Sequence, residues 1–332
     1  MAEMKNPNEA PKRRHGSFIV TPDQEDRRLD RVLRGLYPGV PLSAIMKSIR
    51  RGDVRVGGAK SAVAARLAAG DVVSVPWAAE GAGTENGSER ARPQEKRLNE
   101  KLNKKLMKTP KLRTLLKTGA VWFIEKPPGL LSQPDSPGGD SVVTRAWAEL
   151  EWHRADFRPA LVGRLDRNVS GAMMIALEAP ALRLLWRLMS EGLIKKIYRA
   201  IVLGRPEDEG EIDIPLQKDE TGNRVTAGEG LQALTRYRVL EAGKKFSLVE
   251  LELVTGRPHQ ARAHMSAIGH PIAGDFKYGG GRSGLENGTK HAKNRIFLHA
   301  YSLGLPNVPG LPGDVRGIAV ISPLPEEFEG FL

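Results

Sequence analysis

The chain has 332 residues, of which 40% are hydrophobic and 27% charged, the balance of a globular protein long enough for two domains. Its 51 Lys and Arg exceed its 39 Asp and Glu by a net charge of +12, which favours a polyanionic partner, nucleic acid before membrane. The absence of cysteine excludes disulfides, thiolate nucleophiles and cysteine metal sites, and it is typical of a cytoplasmic protein. No apolar run approaches the roughly 18 residues of a membrane span, and the polar N-terminus has no secretory signal.

The N-terminal part is predicted to be a basic flexible tail over residues 1–27, followed by a small αβ module over residues 28–77. The tail contains prolines and a basic cluster, with one short strand at 18–20. In the module, apolar residues recur at the spacing of one helix face in two successive segments, and glycine turns then lead into short strands. The polar face of the second helix carries Lys47, Arg50 and Arg51.

A positive helix face of this kind can bind phosphates without reading sequence. The module therefore predicts a nucleic-acid contact through Lys47, Arg50 and Arg51. The alternative is a generic αβ domain whose basic face is only solvated.

Residues 78–119 are predicted to be a linker and a basic insert. The first part is small and polar, as in flexible linkers, and the second is rich in Lys and Arg. Three leucines spaced by four, Leu98, Leu102 and Leu106, indicate a basic amphipathic helix that can fold along an RNA backbone. A charged insert without fixed structure is the alternative reading.

Residues 120–332 are predicted to form the second domain, organised around the loop from Gly163 to Gly171. The apolar run 172–177 indicates a buried strand, so Asp166 is expected in a loop fixed against that strand. Arg164 and Arg167 flank Asp166 and favour its ionised form, which is a usable nucleophile. On local chemistry alone, the alternative is an exposed ion pair of little energetic value.

The elements after this loop are a helix and several strands. The helix is predicted over residues 179–192, and its expected core face comprises Leu182, Leu185, Trp186 and Met189. A strand over 195–204 follows, and residues 234–240 and 246–254 are predicted to be paired strands.

A strand-to-helix transition after residue 254 concentrates polar side chains in one turn. They are Arg257, His259, Gln260, Arg262 and His264. The two histidines are five residues apart with no carboxylate between them, which is not the spacing of a helical zinc site, so no metal is expected.

Three blocks of the second domain resemble the RluA-type pseudouridine synthases. Gly163–Gly171 is similar to the family's H-R-L-D-x-x-T/S-G signature, with glycine in place of the usual histidine. Lys196-x-Tyr198-x-Ala200 resembles K-x-Y-x-A, and Thr255–His264 resembles T-G-R-x-H-Q-x-R-x-H. The N-terminal module resembles the αL RNA-binding module, and the resemblance covers the chain from residue 28 except for the basic insert.

The resemblance implies an α+β fold of the pseudouridine synthase type. Its large, mixed and mostly antiparallel sheet is flanked by helices and preceded by a small αβ RNA-binding domain. It also implies an enzyme that isomerises uridines in RNA without a metal or organic cofactor. The module order is most similar to enzymes acting on large-subunit ribosomal RNA, so the expected partner is ribosomal RNA and the expected state is a cytoplasmic monomer.

The resemblance also assigns roles to individual residues. Asp166 would attack the target uridine, Arg262 would pair with Asp166, and Tyr198 would stack on the base and move a proton. Arg164 would fill the gap left by the flipped nucleotide, since flipping costs a few kcal/mol that insertion offsets. The remaining residues expected at the RNA in this domain are Arg167, Lys196, Arg257, His259 and Gln260.

Three alternatives remain at this stage. The first is a catalytically silent RNA-binding or ribosome-assembly protein with the same fold, and the second is a pseudouridine synthase acting on transfer RNA. The third is a carboxylate-based nucleoside or glycoside hydrolase, which would require a second acidic partner that the signature blocks do not offer.

Overall fold

The protein is described by a computed structural model. It describes residues 16–37, 39–77, 109–136, 138–151, 157–219, 224–281, 295–311 and 315–331. The chain divides into two compact units, the first comprising residues 1–105 and 151–158, and the second comprising residues 106–150 and 159–332. None of the helices in the described ranges has the length and apolar content needed to cross a membrane.

The small unit consists of two helices and a four-stranded antiparallel sheet of order β1-β4-β2-β3. Apolar side chains from both helices and the strands form its core, because the predicted helical spacing places them on the inner faces. Its elements are β1 (Gly16–Ile19), a 3-10 helix (Pro22–Gln24), α1 (Leu29–Leu36), α2 (Leu42–Arg51), β2 (Arg55–Val56), β3 (Ala59–Lys60) and β4 (Val72–Val75).

The N-terminal boundary of this unit differs from the one predicted from sequence. Strand β1 pairs with β4 over its whole length, so residues 16–27 belong to the folded unit and not to a flexible tail. The apolar pattern before Arg28 is too short to predict this pairing, because a four-residue edge strand has no periodicity of its own. Residues 1–15, which carry the basic cluster, lie outside the described residues.

The large unit is built on a ten-stranded sheet whose main path runs β10-β13-β14-β9-β15-β8-β6-β5, with β16 beside β15 and β7 beside β8. The strands of this sheet are β5 (Arg113–Lys117), β6 (Val121–Lys126), β7 (Ala160–Val162), β8 (Ser170–Ala176), β9 (Lys195–Leu203), β10 (Glu209–Asp213), β13 (Leu234–Ala242), β14 (Phe246–Leu253), β15 (Leu298–Gly304) and β16 (Ala319–Ile321). The pair β15–β8 is parallel and the other pairs are antiparallel.

The remaining elements of the large unit pack around this sheet. They are α3 (Val142–Glu149), α4 (Ala179–Ser190), α5 (Gln260–Ala267), the separate strand pair β11 (Leu216–Lys218) and β12 (Val225–Ala227), and a 3-10 helix (Glu326–Phe331). The mixed sheet with helices and the small αβ unit confirm the predicted fold class.

The predicted boundary of this unit at residue 120 is wrong. Strand β5 lies inside the range 78–119 assigned to linker and insert; it pairs with β6, so the folded sheet begins before residue 120. Its sequence, Arg-Thr-Leu-Leu-Lys, lies within a run of positive charge, so the edge strand was not predicted. The leucines of the predicted basic helix lie outside the described residues.

Helix α4 is present where predicted, but its buried face is rotated. Leu185 and Leu188 are buried, whereas Trp186 is 50% exposed. Leu182 and Met189 pack at the border of the core. The helical period allows Leu185 to share a buried face either with Leu182 and Trp186 or with Ala181 and Leu188. Packing against the sheet selects the second face.

Candidate active site

The Asp166 loop connects β7 to β8, and a buried lysine holds its backbone. The ammonium group of Lys126 donates to the carbonyl oxygens of Pro127, Leu130 and Arg167 at 3.0, 2.8 and 2.9 Å. The Gly129 N–H also donates to the Arg167 carbonyl at 2.8 Å. Burial lowers the pKa of Lys126 to about 7, although the nearby charge of Asp166 acts in the opposite direction. The Lys-Pro-Pro-Gly turn therefore fixes the loop on one side.

A second buried network fixes the loop where β8 begins. His299 Nε2 lies 3.1 Å from the Ser322 carbonyl, so this nitrogen carries the proton and Nδ1 accepts from the Ser170 hydroxyl at 2.8 Å. Arg295 also donates to the Ser170 oxygen, at 3.4 Å. Burial lowers the pKa of His299 to about 4, which keeps its ring neutral as these contacts require.

Gly171 allows the adjacent strands to approach each other closely at this point. Its φ is +121°, and a Cβ there would overlap the backbone of Ala300 on β15. The glycine that closes the signature loop is therefore required by the packing of β8 on β15.

The centre of the site is a guanidinium shared by two carboxylates. Arg262, in the first turn of α5, donates from Nη1 to Asp166 Oδ2 at 2.6 Å. Its Nε and Nη2 donate to the two oxygens of Asp275 at 2.6 and 2.9 Å. Asp275 is 1% exposed and Asp166 is 32% exposed. The bidentate pair therefore orients the guanidinium, which in turn orients a carboxylate that remains open to a ligand.

His259 and Tyr278 line the other side of Asp166. Tyr278 Oη accepts from the Val225 N–H and lies 2.9 Å from His259 Nδ1, and His259 Nε2 is 3.7 Å from Asp166 Oδ1. Burial lowers the pKa of His259, with Asp166 opposing the shift. His259 has a left-handed φ of +53°, a strained conformation that occurs preferentially at functional sites.

Tyr198, on β9, lies within electrostatic reach of Asp166. Burial raises the pKa of its phenol, and the negative charge of Asp166 raises it further. The Tyr198 side chain is therefore a neutral aromatic group near enough to Asp166 to feel its charge.

The structure thus pairs Asp166 with Arg262, as predicted, and places Tyr198 within electrostatic reach of Asp166. It also brings His259, which was expected at the RNA, to the same carboxylate. Arg164 is exposed, and Arg167 is exposed with its Nε donating to the Gly129 carbonyl at 3.1 Å. In the small unit, Lys47, Arg50 and Arg51 are exposed on α2. Arg257 is partly buried and donates to the Gln232 carbonyl at 2.8 Å.

Two residues expected at the RNA are buried instead. Lys196 donates to the Thr255 carbonyl at 3.2 Å, and the side chain of Gln260 contacts Leu234, Thr235 and the turn that precedes α5. The strand alternation of β9 and the first turn of α5 direct both side chains inward. They hold the turn that carries Arg257 and His259.

Sequence reasoning missed the contributions of Asp275, Tyr278 and Lys126. The only sequence signal for Asp275 was its position directly after Gly274, a glycine that has a φ of +76° in the structure. A pairing between Asp275 and Arg262 across a turn has no fixed spacing, so no periodicity reveals it. Within the described ranges, no group of three or more His, Cys, Asp or Glu side chains could hold a metal ion.

Chemically, this arrangement presents an ionised carboxylate beside a neutral aromatic ring on a rigid frame. The guanidinium of Arg262 directs one oxygen of Asp166, and the exposed part of the carboxylate can attack a ligand. Asp275 is not a general acid, because both of its oxygens accept charge-assisted bonds from Arg262.

Comparisons with known proteins first define the class. The family model of RNA pseudouridylate synthases matches residues 120–267, which include Asp166, Tyr198 and Arg262. The solved structure of human RNA pseudouridylate synthase domain containing 4 has the same fold, with a TM-score of 0.52 and 24% identity. The match covers 71% of this chain and 95% of that one.

Full-length relatives then define the family. The chain is 30% identical over 315 residues to ribosomal large subunit pseudouridine synthase C of Vibrio vulnificus (strain CMCP6), covering 93% of both chains. It is 32% identical over 322 residues to the protein of the same name from Escherichia coli (strain K12), covering 92% of both. The chain belongs to the RluA-type RNA pseudouridine synthases.

Proposed function

We propose that this protein isomerises uridines in large-subunit ribosomal RNA to pseudouridine, with Asp166 as the nucleophile. The observation that carries the proposal is the 2.6 Å contact of Asp166 with Arg262, whose guanidinium is locked on its other side by Asp275. This arrangement supplies a charged carboxylate in fixed orientation, as nucleophilic catalysis requires.

The reaction breaks the bond between uracil N1 and ribose C1′, turns the base and joins C5 to C1′. C5 then loses its proton to solvent and N1 gains one, so the product is an isomer of uridine. Asp166 would attack either C1′ or C6 of the uridine. Arg262 would hold the Asp166 carboxylate in place while the bond to N1 breaks and the bond to C5 forms. Tyr198 would stack on the uracil ring and move a proton during the rearrangement. Exposed Arg164 would occupy the space left in the RNA by the flipped nucleotide.

Two observations support ribosomal RNA as the substrate class. The relatives named as large-subunit pseudouridine synthases align with more than 90% of the chain, including the small unit. The net charge of +12 and the exposed cations of α2 suit a large folded RNA. Arg167, Arg257 and His259 are proposed to contact the RNA around the flipped base, and a cytoplasmic monomer remains the expectation from sequence.

The test is to map pseudouridines in the ribosomal and transfer RNA of a strain that lacks this protein. We expect one or more pseudouridines of large-subunit RNA to disappear, and to return with the wild-type gene but not with Asp166→Ala. Loss confined to transfer RNA would reject the ribosomal substrate. A complete set of pseudouridines in both RNAs would favour the catalytically silent RNA-binding protein.

A further inference from the structure

An exposed aromatic side chain stands beside the active site without an assigned role. Phe276 is 58% exposed, and it directly follows Asp275, the buried carboxylate that shares the Arg262 guanidinium with Asp166. A single exposed apolar residue is normal on a protein surface. The adjacency of Phe276 to Asp275 distinguishes it from other exposed apolar residues.

The turn that carries Phe276 is rigidly attached to the catalytic centre. The Asp275 carbonyl accepts from the N–H groups of Tyr278 and Gly280 at 3.2 and 2.9 Å. The Asp275 carboxylate accepts from the Lys277 N–H at 3.2 Å in addition to its two bonds from Arg262. The backbone on both sides of Phe276 is therefore fixed by the residue that orients the catalytic guanidinium, so its ring is displayed from a preorganised support.

Two cations lie near the turn that carries Phe276. Lys277, the next residue, is close enough to Arg262 and Asp166 for their charges to act on it, with Asp219 as a further acidic neighbour. The Arg224 guanidinium lies 5.4 Å from the centre of the Tyr278 ring. An aromatic face next to cations matches the two chemical parts of a single RNA strand, which are planar bases and phosphates.

We propose that Phe276 is a stacking platform for an unpaired RNA base next to the isomerised uridine, with Lys277 and Arg224 at the neighbouring phosphates. The position of that base relative to the target rests on the proposed function. The stacking contact itself is a binding interaction and can be measured without turnover.

The experiment compares the binding of two RNA probes to the full-length protein by fluorescence anisotropy. One probe is a 12-nucleotide oligouridine, and the other is an abasic oligoribonucleotide of the same length and charge. The variants are Phe276→Ala, Phe276→Tyr and, as a matched control, Trp186→Ala on α4, which is also an exposed aromatic. Tritium release from uridine-labelled large-subunit ribosomal RNA is measured in parallel as an independent test of the proposed function.

Loss of one stacked base predicts that Phe276→Ala raises the Kd for oligouridine by about 5- to 150-fold. Its Kd for the abasic probe should stay within twofold of wild type, Phe276→Tyr should bind both probes as wild type does, and Trp186→Ala should change neither. An unchanged Kd for oligouridine in Phe276→Ala, or an equal loss on both probes, would overturn the stacking role. Absence of tritium release from the wild type would reject the proposed function while leaving the binding result interpretable.

Discussion

Two arginine–carboxylate pairs in the large unit have nearly the same nitrogen–oxygen distance, but the arginine of one pair is buried and the other pair is exposed. In the active site, Arg262 Nη1 lies 2.6 Å from Asp166 Oδ2; between the outer strands β13 and β10, Arg236 Nε lies 2.5 Å from Glu211 Oε1. Arg262 is buried and also binds Asp275, whereas Arg236 and Glu211 are both exposed. Solvent screens the exposed pair, but a buried pair that loses one partner leaves an uncompensated charge.

The comparison shows that distance alone does not assign importance to an ion pair. Burial and the second carboxylate give Arg262 one fixed orientation, and that orientation is passed to Asp166. The exposed pair joins two surface side chains on the neighbouring strands β13 and β10. Substitutions at each partner therefore test whether burial accounts for the difference between the two pairs.

The largest expected effect on stability comes from Asp275→Asn. The amide removes the charge that compensates the buried side of Arg262, so we expect the free energy of unfolding to fall by about 3–5 kcal/mol. Urea denaturation measures this loss. The matched variant Glu211→Gln should leave the unfolding midpoint unchanged, and equal losses in the two variants would remove the distinction between the pairs.

A second prediction concerns the buried His299 at the base of the loop. Burial lowers its pKa to about 4, from 6.5 for the exposed side chain. Because the folded state binds this proton more weakly, the stabilising contribution is complete above pH 6.5 and is lost as the pH falls from 6.5 to 4. The difference between these pKa values corresponds to about 3 kcal/mol.

Urea denaturation at pH 7 and pH 4 tests this linkage. The variant His299→Gln keeps a donor for the Ser322 carbonyl and an acceptor for Ser170, so it should fold and lose less stability on acidification than wild type does. Equal losses in the two proteins would mean that His299 does not contribute to acid sensitivity.

The third prediction is that Arg262→Lys lowers kcat while the chain remains folded. A single ammonium group cannot serve Asp166 and the two oxygens of Asp275 in one plane. Loss of a charge-assisted hydrogen bond predicts a fall in kcat of about 10- to 150-fold. Tritium release at saturating RNA measures kcat, and Arg236→Lys provides the exposed control. A fall confined to KM would contradict the positioning role.

The smallest effects are expected on α2 of the small unit. Lys47→Ala, Arg50→Ala and Arg51→Ala should each weaken RNA binding modestly and reduce the slope of log K against log salt by about 0.7–0.9, as expected for one lost phosphate contact. None should change kcat, because these exposed side chains belong to the small unit, whereas Asp166 and Arg262 belong to the large unit. Titrations at several salt concentrations measure the slope, and an unchanged slope would remove α2 from the RNA-binding surface.

The sequence predicted the fold class and the pairing of Asp166 with Arg262, because both residues stand in long blocks that resemble one family. Helix and strand periods also placed α1, α4, β9 and the β13–β14 pair correctly. Single-sequence patterns did not show that Lys196 on β9 and Gln260 in the first turn of α5 are buried. Asp275 was missed because its partner lies across a turn, where tertiary packing and not spacing determines the contact.

The central claim is that Asp166 acts as a charged nucleophile held by Arg262, and Asp166→Asn tests it most directly. The amide preserves the size of the side chain and removes only its charge and nucleophilicity. In single-turnover tritium release from uridine-labelled large-subunit ribosomal RNA, we predict no detectable product, with RNA affinity within twofold of wild type. Product formation at a rate near that of wild type would contradict the account.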